Sequence, residues 1–329
     1  MTPKLIIHGG ASSLDDKGGL ATVRQSLHQI VAAVYETLTA GGSAMDAVVQ
    51  GCELLENEPR FNAGTGSVLQ SDGQVRMSAS LMDGDRQNFS GVINVSRIKN
   101  PIQMAQFLQG QTDRILSDYG AADLAREMQL PIYDPATDFR IQEWMEERGE
   151  DVRKKMARLI ADPTVGIEAR KGTIGVVALD ANGKIAAGTS TGGKGLERIG
   201  RVSDSAMPAG NYATRFAGVS CTGVGEDIIN ECLAAKVVIR VKDGQNLAQA
   251  MAKSITEALE NNTDLGAIAL DHQGHIAWGK TCPVLLAAYH TGTAIGDTLE
   301  LTDGDHYGNA SILKLQKTVK KIQTKTRGK

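Results

Sequence analysis

The chain has 329 residues, of which 41% are hydrophobic and 22% are charged, an ordinary globular composition. A formal net charge of −3 gives no general attraction for nucleic acid, and no apolar run approaches the ~20 residues of a membrane-spanning helix. No signal peptide is recognisable, and the four cysteines form neither a C-x-x-C pair nor a zinc pattern, so we expect buried thiols in a cytoplasmic protein.

The first part of the chain predicts a strand followed by two helices. The apolar residues 4–8 predict a strand, which ends in a glycine turn. Apolar residues recur at every third or fourth position over residues 20–38, which predicts one buried stripe on a helix that ends at Gly41. Ser43 is a suitable N-cap for a second helix, which continues to Leu55.

The next segment predicts a hairpin, a further strand and then helical structure. Residues 66–84 are expected to form a hairpin that turns at residues 71–73, and residues 91–95 predict another strand. From Pro101 onward the pattern is mostly helical. Ten of the sixteen residues over 143–158 are charged, so we expect a solvated helix or a mobile linker there.

Two hairpins of similar design are predicted in the second half of the chain. Residues 173–179 and 184–190 are apolar runs on either side of an Asn-Gly turn, which is a strong hairpin signal. Residues 265–279 repeat this pattern, and residues 284–289 predict a last strand. Two helices are predicted between the hairpins, with Ile228, Cys232, Ala235 and Val238 on one and Leu247, Met251, Ile255 and Leu259 on the other.

Both groups of strands are apolar on both faces, so each face needs cover. We therefore expect an α+β fold in which two sheets pack together between helical layers, a four-layer αββα sandwich. A functional boundary between Gly172 and Thr173 would divide one globular domain into the segments 1–172 and 173–329. Seven basic and no acidic residues lie over 311–329, which we expect to be a solvated tail, with binding of nucleic acid or an acidic partner as the weaker alternative.

Hydroxyl side chains beside glycines are the remaining chemical signal, because the sequence has no zinc-protease, Walker or Gly-x-Ser-x-Gly motif. They occur at Gly172–Thr173, over 189–193 and over 221–225, and each of them alone would indicate an ordinary turn. A threonine hydroxyl is a weak nucleophile and needs a base. If Thr173 became a chain terminus, its own α-amine, with a pKa of ~7.7–8.0, would supply that base.

Seven short motifs, taken in their order and spacing, resemble the plant-type asparaginase and isoaspartyl peptidase family of N-terminal-nucleophile hydrolases. The resemblance covers most of residues 4–279 and is highly specific. The motifs are His-Gly-Gly-Ala at 8–11, Phe-Asn-Ala-Gly-Thr-Gly at 61–66, Met-Asp-Gly at 82–84, Gly-Thr-Ile-Gly at 172–175, Thr-Ser-Thr-Gly-Gly at 189–193, Gly-Arg-Val-Ser-Asp-Ser at 200–205 and Thr-Gly-Val-Gly-Glu at 222–226.

The resemblance implies a self-cleaving amidohydrolase that acts on isoaspartyl peptides, on L-asparagine or on both through an acyl-enzyme. The chain would cut itself between Gly172 and Thr173, and Thr173 would then be the nucleophile. Thr191 would form a hydrogen bond near the nucleophile. Arg201 would bind the α-carboxylate of the substrate, and Asp204 would bind its α-ammonium group. The Thr222 hydroxyl and the Gly223 N–H would form the oxyanion hole, and Asn62 and Gly9 would support the site.

The resemblance also implies an ion and an assembly, but no organic cofactor. Residues 55–65 match the family's alkali-metal loop, although the residues themselves are equally compatible with a loop that holds no ion. The chain would assemble into a homo-oligomer of cleaved αβ units, and its other partner would be a small-molecule or dipeptide substrate. Sodium, or potassium, would be held by the backbone carbonyls of Leu55, Glu56, Glu58, Phe61, Ala63 and Thr65.

The chain departs from the family pattern around the expected substrate pocket. Residues 194–199 are more highly charged than the usual segment, and Ser203 replaces a usual glycine. Residues 206–211 and 278–283 also differ. These departures bear on substrate preference rather than on the nucleophile or the oxyanion hole.

Two alternatives remain open. A glycosylasparaginase would share the pattern of residues 187–191, but it would be expected to carry a signal peptide and the cysteines of an oxidising compartment. A non-catalytic, uncleaved relative could serve as a binding or scaffold protein. Against it stands the retention of Thr173, Thr191, Arg201, Asp204 and Thr222. A denaturing gel is the cheapest test, because two fragments indicate the enzyme, whereas one intact chain indicates the scaffold or very slow processing.

Overall fold

The computed structural model gives the chain a mixed α/β fold with two β-sheets. No helix in the part of the chain described is long and apolar enough to cross a membrane. Residues 159–171, which directly precede Gly172, and the predicted basic tail lie outside the described residues. The structure describes residues 1–11, 13–14, 17–158 and 172–310, with the backbone alone for residues 150–158.

The described residues contain thirteen strands and eight α-helices. The strands are β1 (Lys4–His8), β2 (Met77–Asp83), β3 (Asn88–Val95), β4 (Ile115–Ser117), β5 (Ile174–Leu179), β6 (Ile185–Thr191), β7 (Asn211–Ala213), β8 (Ala217–Gly223), β9 (Leu265–Asp271), β10 (Ile276–Lys280), β11 (Ala287–His290), β12 (Ile295–Asp297) and β13 (Tyr307–Asn309). The helices are α1 (Gly19–Thr39), α2 (Ala44–Glu56), α3 (Pro101–Leu108), α4 (Asp118–Glu127), α5 (Asp138–Arg158), α6 (Gly225–Glu231), α7 (Leu233–Lys242) and α8 (Leu247–Glu260).

The larger sheet has eight strands in the order β12-β11-β1-β5-β6-β2-β3-β4, and the smaller has five in the order β13-β10-β9-β8-β7. The predicted hairpins β5–β6 and β9–β10 are both present and antiparallel. The two segments on either side of Gly172 share one sheet, since β1 from the first pairs with β5 from the second. The larger sheet therefore depends on both segments.

Three hydrophobic clusters hold these elements together. Val23 and Leu55 belong to the first cluster, in which α1 to α4 cover one face of the larger sheet. The second cluster contains Val237 and Met251 and joins α6, α7 and α8 to the smaller sheet. The third contains Val177 from the larger sheet and residues of the smaller sheet such as Trp278, so it lies between the sheets.

The capping signal at Ser43 is confirmed in detail. The Ser43 side chain accepts a hydrogen bond from the backbone N–H of Asp46, and the Asp46 carboxylate accepts one from the backbone N–H of Ser43. This reciprocal capping box satisfies N–H groups that have no partner inside the helix. It fixes the start of α2, whose other end leads into the loop 57–66.

The hairpin predicted over residues 66–84 is wrong. Only Met77–Asp83 forms a strand there, and it pairs with β3 and β6. The turn at residues 71–73 exists, since the Gly73 N–H donates to the Gln70 carbonyl, but the residues before it bond to loops. The Val68 N–H donates to the Asn62 side chain, and the Leu69 carbonyl accepts from Leu196. Tertiary hydrogen bonds have replaced the predicted first strand.

The helix predicted through Cys232 is divided into α6 and α7 at that residue. Cys232 has a φ of 47° in the left-handed region, which costs a non-glycine residue free energy. Its side chain is exposed, contrary to the expectation of four buried thiols, whereas Cys52, Cys221 and Cys282 are buried. Apolar periodicity across the break suggested one helix because both pieces pack on the same sheet.

The charged stretch 143–158 is helical, as one of the two predicted alternatives required. The start of α5 is anchored to the loops beside Asn62. The Arg140 side chain is buried and donates through Nε to the Gly66 carbonyl at 2.7 Å. The Trp144 indole N–H donates to the Gln70 carbonyl at 2.9 Å. Helix α5 therefore fixes residues 66–70, which were predicted to form a strand.

Lys280, at the end of β10, gives a test of the packing. It is fully buried, and its ammonium donates to the carbonyls of Cys282, Pro283 and Thr302 at 3.3, 2.8 and 3.1 Å. Lys280→Met should lower the free energy of unfolding by about 3 kcal/mol, because the hydrogen bonds from a charged donor to these three carbonyls are lost. Lys242→Met, at the exposed end of α7, should change it by less than ~0.5 kcal/mol. Urea denaturation measures both, and equal effects would contradict the packing described.

Candidate active site

Thr173 lies at the start of β5, next to the end of β6. Ile174 pairs with Ser190 in the antiparallel ladder, which places Thr173 opposite Thr191. The Thr173 hydroxyl donates to the Thr191 hydroxyl at 3.2 Å, and Thr191 also accepts the Gly193 N–H at 3.1 Å. Thr173 is only 5% exposed. Strand pairing thus brings the predicted nucleophile and its predicted partner together.

The Gly172 carbonyl receives two hydrogen bonds from side chains. The Asn62 amide donates at 2.9 Å, and the Thr191 hydroxyl donates at 3.2 Å. Asn62 is held by the Val68 N–H, which donates to its Oδ1, and it also donates to the Gly193 carbonyl at 2.7 Å. A Cβ atom on Gly172 would lie 2.6 Å from the Asn62 Cβ, so this contact requires glycine.

Arg201 and Asp204 lie together around Gly225. A Cβ on Gly225 would be 2.5 Å from Arg201 Nη2 and 2.8 Å from Asp204 Oδ1, so the absent side chain makes room for both. Arg201 donates through Nε and Nη2 to the two oxygens of Glu226, each at 3.1 Å. One edge of its guanidinium therefore has a carboxylate partner in the protein, a contact that the sequence analysis did not predict.

Burial and charge separate the pKa values of the two carboxyl groups at this corner. Burial raises the pKa of Asp204 to about 7, against the opposing charge of Arg201. Burial also raises the pKa of Glu226, but hydrogen bonds and charge from Arg201, with the charge of Lys194, outweigh it and lower the value to about 2. Glu226 is therefore ionised at neutral pH, whereas Asp204 titrates there.

Thr222 and Gly223 end β8 in the smaller sheet. Thr222 is fully buried, and its hydroxyl oxygen has no hydrogen-bond partner among the described residues. Gly223 has a φ of 129°, and a Cβ there would lie 2.6 Å from the Asp264 carbonyl. Asp204 Oδ2 is buried and similarly without a partner in the described ranges. Buried polar atoms of this kind are ones that a bound substrate could satisfy.

Gly9 contributes through its lack of a side chain. A Cβ on Gly9 would lie 2.4 Å from the Phe61 ring, and the Gly9 N–H donates to the Leu286 carbonyl at 2.7 Å. Phe61 is fully buried and directly precedes Asn62. Gly9 therefore lets β1 approach the loop that positions Asn62, and its effect on the site is indirect.

A buried polar row beside Thr173 had no predicted role. His8 Nε2 lies 2.9 Å from the Ser220 hydroxyl, which lies 2.7 Å from the Thr189 hydroxyl. A Cβ on Gly175 would lie 1.9 Å from Ser220 Oγ, so glycine is required there as well. Burial lowers the pKa of His8 to about 3, against an opposing contribution from the Thr173 backbone. His8 is therefore neutral and links the two sheets.

Strand periodicity explains where this row lies. Thr189 is two residues before Thr191 on β6, and Ser220 is two residues before Thr222 on β8. Side chains two apart share one face of a strand, so the row lies directly beside the site residues. The alternating hydroxyls in the sequence were a signal for it, but no pattern indicated that Ser220 would meet His8.

The predicted alkali-metal loop folds back on itself. The Thr65 N–H donates to the Glu56 carbonyl at 2.8 Å, and the Phe61 N–H donates to the Glu58 carbonyl at 3.0 Å. Gly64 has a φ of 55°, and a Cβ there would lie 2.4 Å from the Glu56 carbonyl oxygen. The described residues contain no cluster of three or more metal-binding side chains, so an ion here would rely on backbone oxygens.

Comparison with known proteins decides the family. The sequence model of the family described as asparaginase matches residues 1–300. The chain belongs to this family. A Nostoc protein named isoaspartyl peptidase/L-asparaginase is 65% identical over 94% of this chain and 98% of its own length. A Pyrococcus abyssi plant-type L-asparaginase is 37% identical over 84% and 92%, and a Bos taurus isoaspartyl peptidase/L-asparaginase is 34% identical over 91% and 98%. The predicted resemblance is confirmed.

The raised pKa of Asp204 predicts a pH-dependent stability difference. The folded chain holds this proton up to a pH of about 7, against an ordinary value of 3.8. The contribution of Asp204 to stability is thus present at low pH and is lost as the pH rises through 7. Asn does not titrate. The free energy of unfolding of Asp204→Asn, minus that of the protein with Asp204, should therefore increase by on the order of 3 kcal/mol between pH ~4 and ~8.

Urea titrations at several pH values check this expectation. Both proteins should carry Thr173→Ala, so that each remains a single chain and other titrating groups cancel. A difference between the two proteins that stays constant with pH would show that Asp204 is ionised in the folded state throughout.

Proposed function

We propose that this asparaginase-family protein is a self-cleaving amidohydrolase that hydrolyses isoaspartyl peptides and L-asparagine through the N-terminal amine and hydroxyl of Thr173. The observation that carries the proposal is the Gly172 carbonyl, which receives hydrogen bonds from Asn62 and Thr191. The name of the Nostoc relative supports the choice of substrates. The chain retains Thr173, Thr191, Arg201, Asp204 and Thr222, which argues against a scaffold protein.

Self-cleavage would begin with attack of the Thr173 hydroxyl on the Gly172 carbonyl. Negative charge then grows on the carbonyl oxygen, where the two side-chain donors stabilise it. The Gly172–Thr173 C–N bond breaks, the nitrogen takes the hydroxyl proton, and an ester joins the two residues. Water hydrolyses this ester, which leaves a carboxylate on Gly172 and a free amine on Thr173.

Substrate turnover would use the amine that cleavage releases. The amine takes the Thr173 hydroxyl proton as the oxygen attacks the β-carbonyl of the substrate, and it then protonates the departing amine or ammonia. The Thr222 hydroxyl and the Gly223 N–H would stabilise the oxyanion, and their position on β8 supports this role. Water finally hydrolyses the acyl-enzyme to release aspartate.

Arg201 and Asp204 would hold the α-carboxylate and α-ammonium of the aspartyl group. A guanidinium suits a carboxylate because it can donate two parallel hydrogen bonds. Glu226 engages Nε and Nη2, so substrate would bind at the remaining part of the fork. The buried oxygen of Asp204 that has no partner among the described residues would accept from the ammonium group.

The same proposal covers the finer architecture, the assembly and the location. Three hydrophobic clusters, one between the sheets and one on each outer side, support a four-layer αββα sandwich. We expect self-cleavage to divide it into subunits 1–172 and 173–329, which form a homo-oligomer of αβ units. The pattern of the four cysteines, which suggests neither a disulfide framework nor a zinc site, supports a reducing, cytoplasmic compartment.

A sodium or potassium ion in the loop 55–65 is a separate part of the proposal. Backbone carbonyls are hard oxygen donors of the kind that such cations prefer. The Leu55, Glu56 and Glu58 carbonyls already accept N–H groups, but each carbonyl oxygen has a second lone pair. Together with Phe61, Ala63 and Thr65, they would hold a cation that would stiffen the loop carrying Asn62.

Substitution of Thr173 tests the proposed function. Thr173→Ala should remain one intact chain on a denaturing gel and should release no aspartate, because one hydroxyl performs both reactions. Thr173→Ser should cleave more slowly and keep weak activity, since it retains the hydroxyl but loses the methyl group that restricts its rotamer. Cleavage at this bond in the alanine variant, or aspartate release by it, would refute the proposal.

Substitution of Arg201 tests the substrate contact separately. Arg201→Lys should raise KM by at least about tenfold and leave self-cleavage intact, because lysine keeps the charge but loses the planar fork. The comparison needs steady-state kinetics on L-asparagine and a denaturing gel of the same preparation. An unchanged KM would remove Arg201 from the substrate site.

A further inference from the structure

Lys194 lies between the two halves of the candidate active site. It directly follows Gly193, whose N–H donates to the Thr191 hydroxyl and whose carbonyl accepts from the Asn62 amide. Its own ammonium donates to Glu226 Oε1 at 3.2 Å. The side chain therefore begins beside the nucleophile and ends beside the guanidinium of Arg201, which contacts the same Glu226 oxygen.

The backbone that presents Lys194 is well fixed. The Lys194 N–H donates to Glu197 Oε1 at 3.3 Å, and the Glu197 side chain is buried. The Leu196 N–H donates to the Leu69 carbonyl at 2.9 Å, and the Glu197 carbonyl accepts from Ser71 at 3.1 Å. This segment, 194–199, is the one whose charge departs from the family pattern. Its geometry gives the lysine a defined position rather than that of a loose surface side chain.

The side chain of Lys194 nevertheless reaches solvent. It is 38% exposed, compared with 13% for Arg201 and 46% for Glu226. Lys194 thus occupies the rim of the site, while Arg201 occupies its interior. Substrate atoms that extend from the scissile bond toward solvent would pass this rim.

The charges at the rim leave Lys194 able to bind a second anion. Arg201 already donates two hydrogen bonds to Glu226 and neutralises its charge. An ammonium group has three donors, and the contact with Glu226 uses one. Two cations therefore share one carboxylate, and Lys194 is the more accessible of them.

We propose that Lys194 forms a subsite for the carboxylate of the leaving residue of an isoaspartyl dipeptide. The inference rests on the proposed function. An isoaspartyl dipeptide carries this second carboxylate beyond the scissile bond, whereas the leaving group of L-asparagine is ammonia. A rim cation would thus favour the dipeptide selectively, and it would make no contact with the leaving group of asparagine.

The test measures three substrates with two variants of Lys194. Lys194→Met keeps the length of the side chain and removes its charge. With β-aspartyl-leucine, kcat/KM should fall roughly fivefold, mainly through KM, which is the range of a partly exposed ion pair. With β-aspartyl-leucine amide, which lacks the second carboxylate, and with L-asparagine, the change should stay below about twofold. Lys194→Arg should restore most of the preference, since it keeps the charge.

Lys184→Met is the matched control. Lys184 is also a surface lysine in one ion pair, with Asp85 at 3.0 Å, but it precedes β6 and lies at the opposite end of that strand from Thr191. It should leave all three kcat/KM values unchanged. Complete self-cleavage of Lys194→Met on a denaturing gel confirms that the variant has folded.

The outcomes separate the subsite from the function on which it rests. If the unsubstituted protein hydrolyses none of the three substrates, the proposed function fails and the subsite falls with it. If Lys194→Met loses activity equally on all three, Lys194 serves the aspartyl carboxylate with Arg201, and the subsite is wrong. If no substrate is affected, Lys194 is a surface residue without a role in recognition.

Discussion

The site depends on one carbonyl group, that of Gly172, and on the two side chains that donate to it. Asn62 reaches it from the loop after α2, and Thr191 reaches it from the end of β6. Two elements far apart in sequence must therefore be in place before this peptide bond is polarised. A glycine is needed because any Cβ would overlap Asn62. Under the proposed self-cleavage, folding and reactivity are thus linked at the Gly172–Thr173 peptide bond.

The pairing of the strands supplies the rest of the arrangement. Because β5 and β6 are joined by a short turn, their ladder fixes Thr173 opposite Thr191 without any side-chain contact being required. The smaller sheet then contributes Thr222. Two residues before it on β8, Ser220 makes a buried contact with His8 that connects the two sheets. A buried neutral histidine with a hydroxyl partner forms a rigid polar connection. The oxyanion-hole candidates are therefore positioned by sheet packing rather than by a loop.

The sequence predicted the features that adjacent residues determine, such as caps and turns. It did not predict the features that depend on contacts between distant residues. The cap at Ser43 and the turn between β5 and β6 were predictable because a few adjacent residues determine them. The segment 66–76 was not, since several of its backbone groups bond to residues distant in sequence: the Gly66 N–H to Pro135, the Leu69 carbonyl to Leu196 and the Ser71 N–H to Glu197. The family motifs indicated Arg201, but its pairing with Glu226 depends on how α6 packs. Spacing in the sequence carries no information of that kind.

The charges at the Arg201 corner show why such a site costs stability. Asp204 is buried with an oxygen that has no partner among the described residues, and its raised pKa measures the unfavourable free energy of ionising it there. Glu226, half exposed and paired with two cations, has the opposite shift. The fold thus gives hydrogen-bond partners to Glu226, which positions the guanidinium. It leaves one oxygen of Asp204, the residue proposed to bind the substrate ammonium group, without such a partner among the described residues. A bound aspartyl group would supply both a cation for Asp204 and an anion for Arg201. Substrate binding would therefore offset the unfavourable free energy of the buried Asp204 carboxylate.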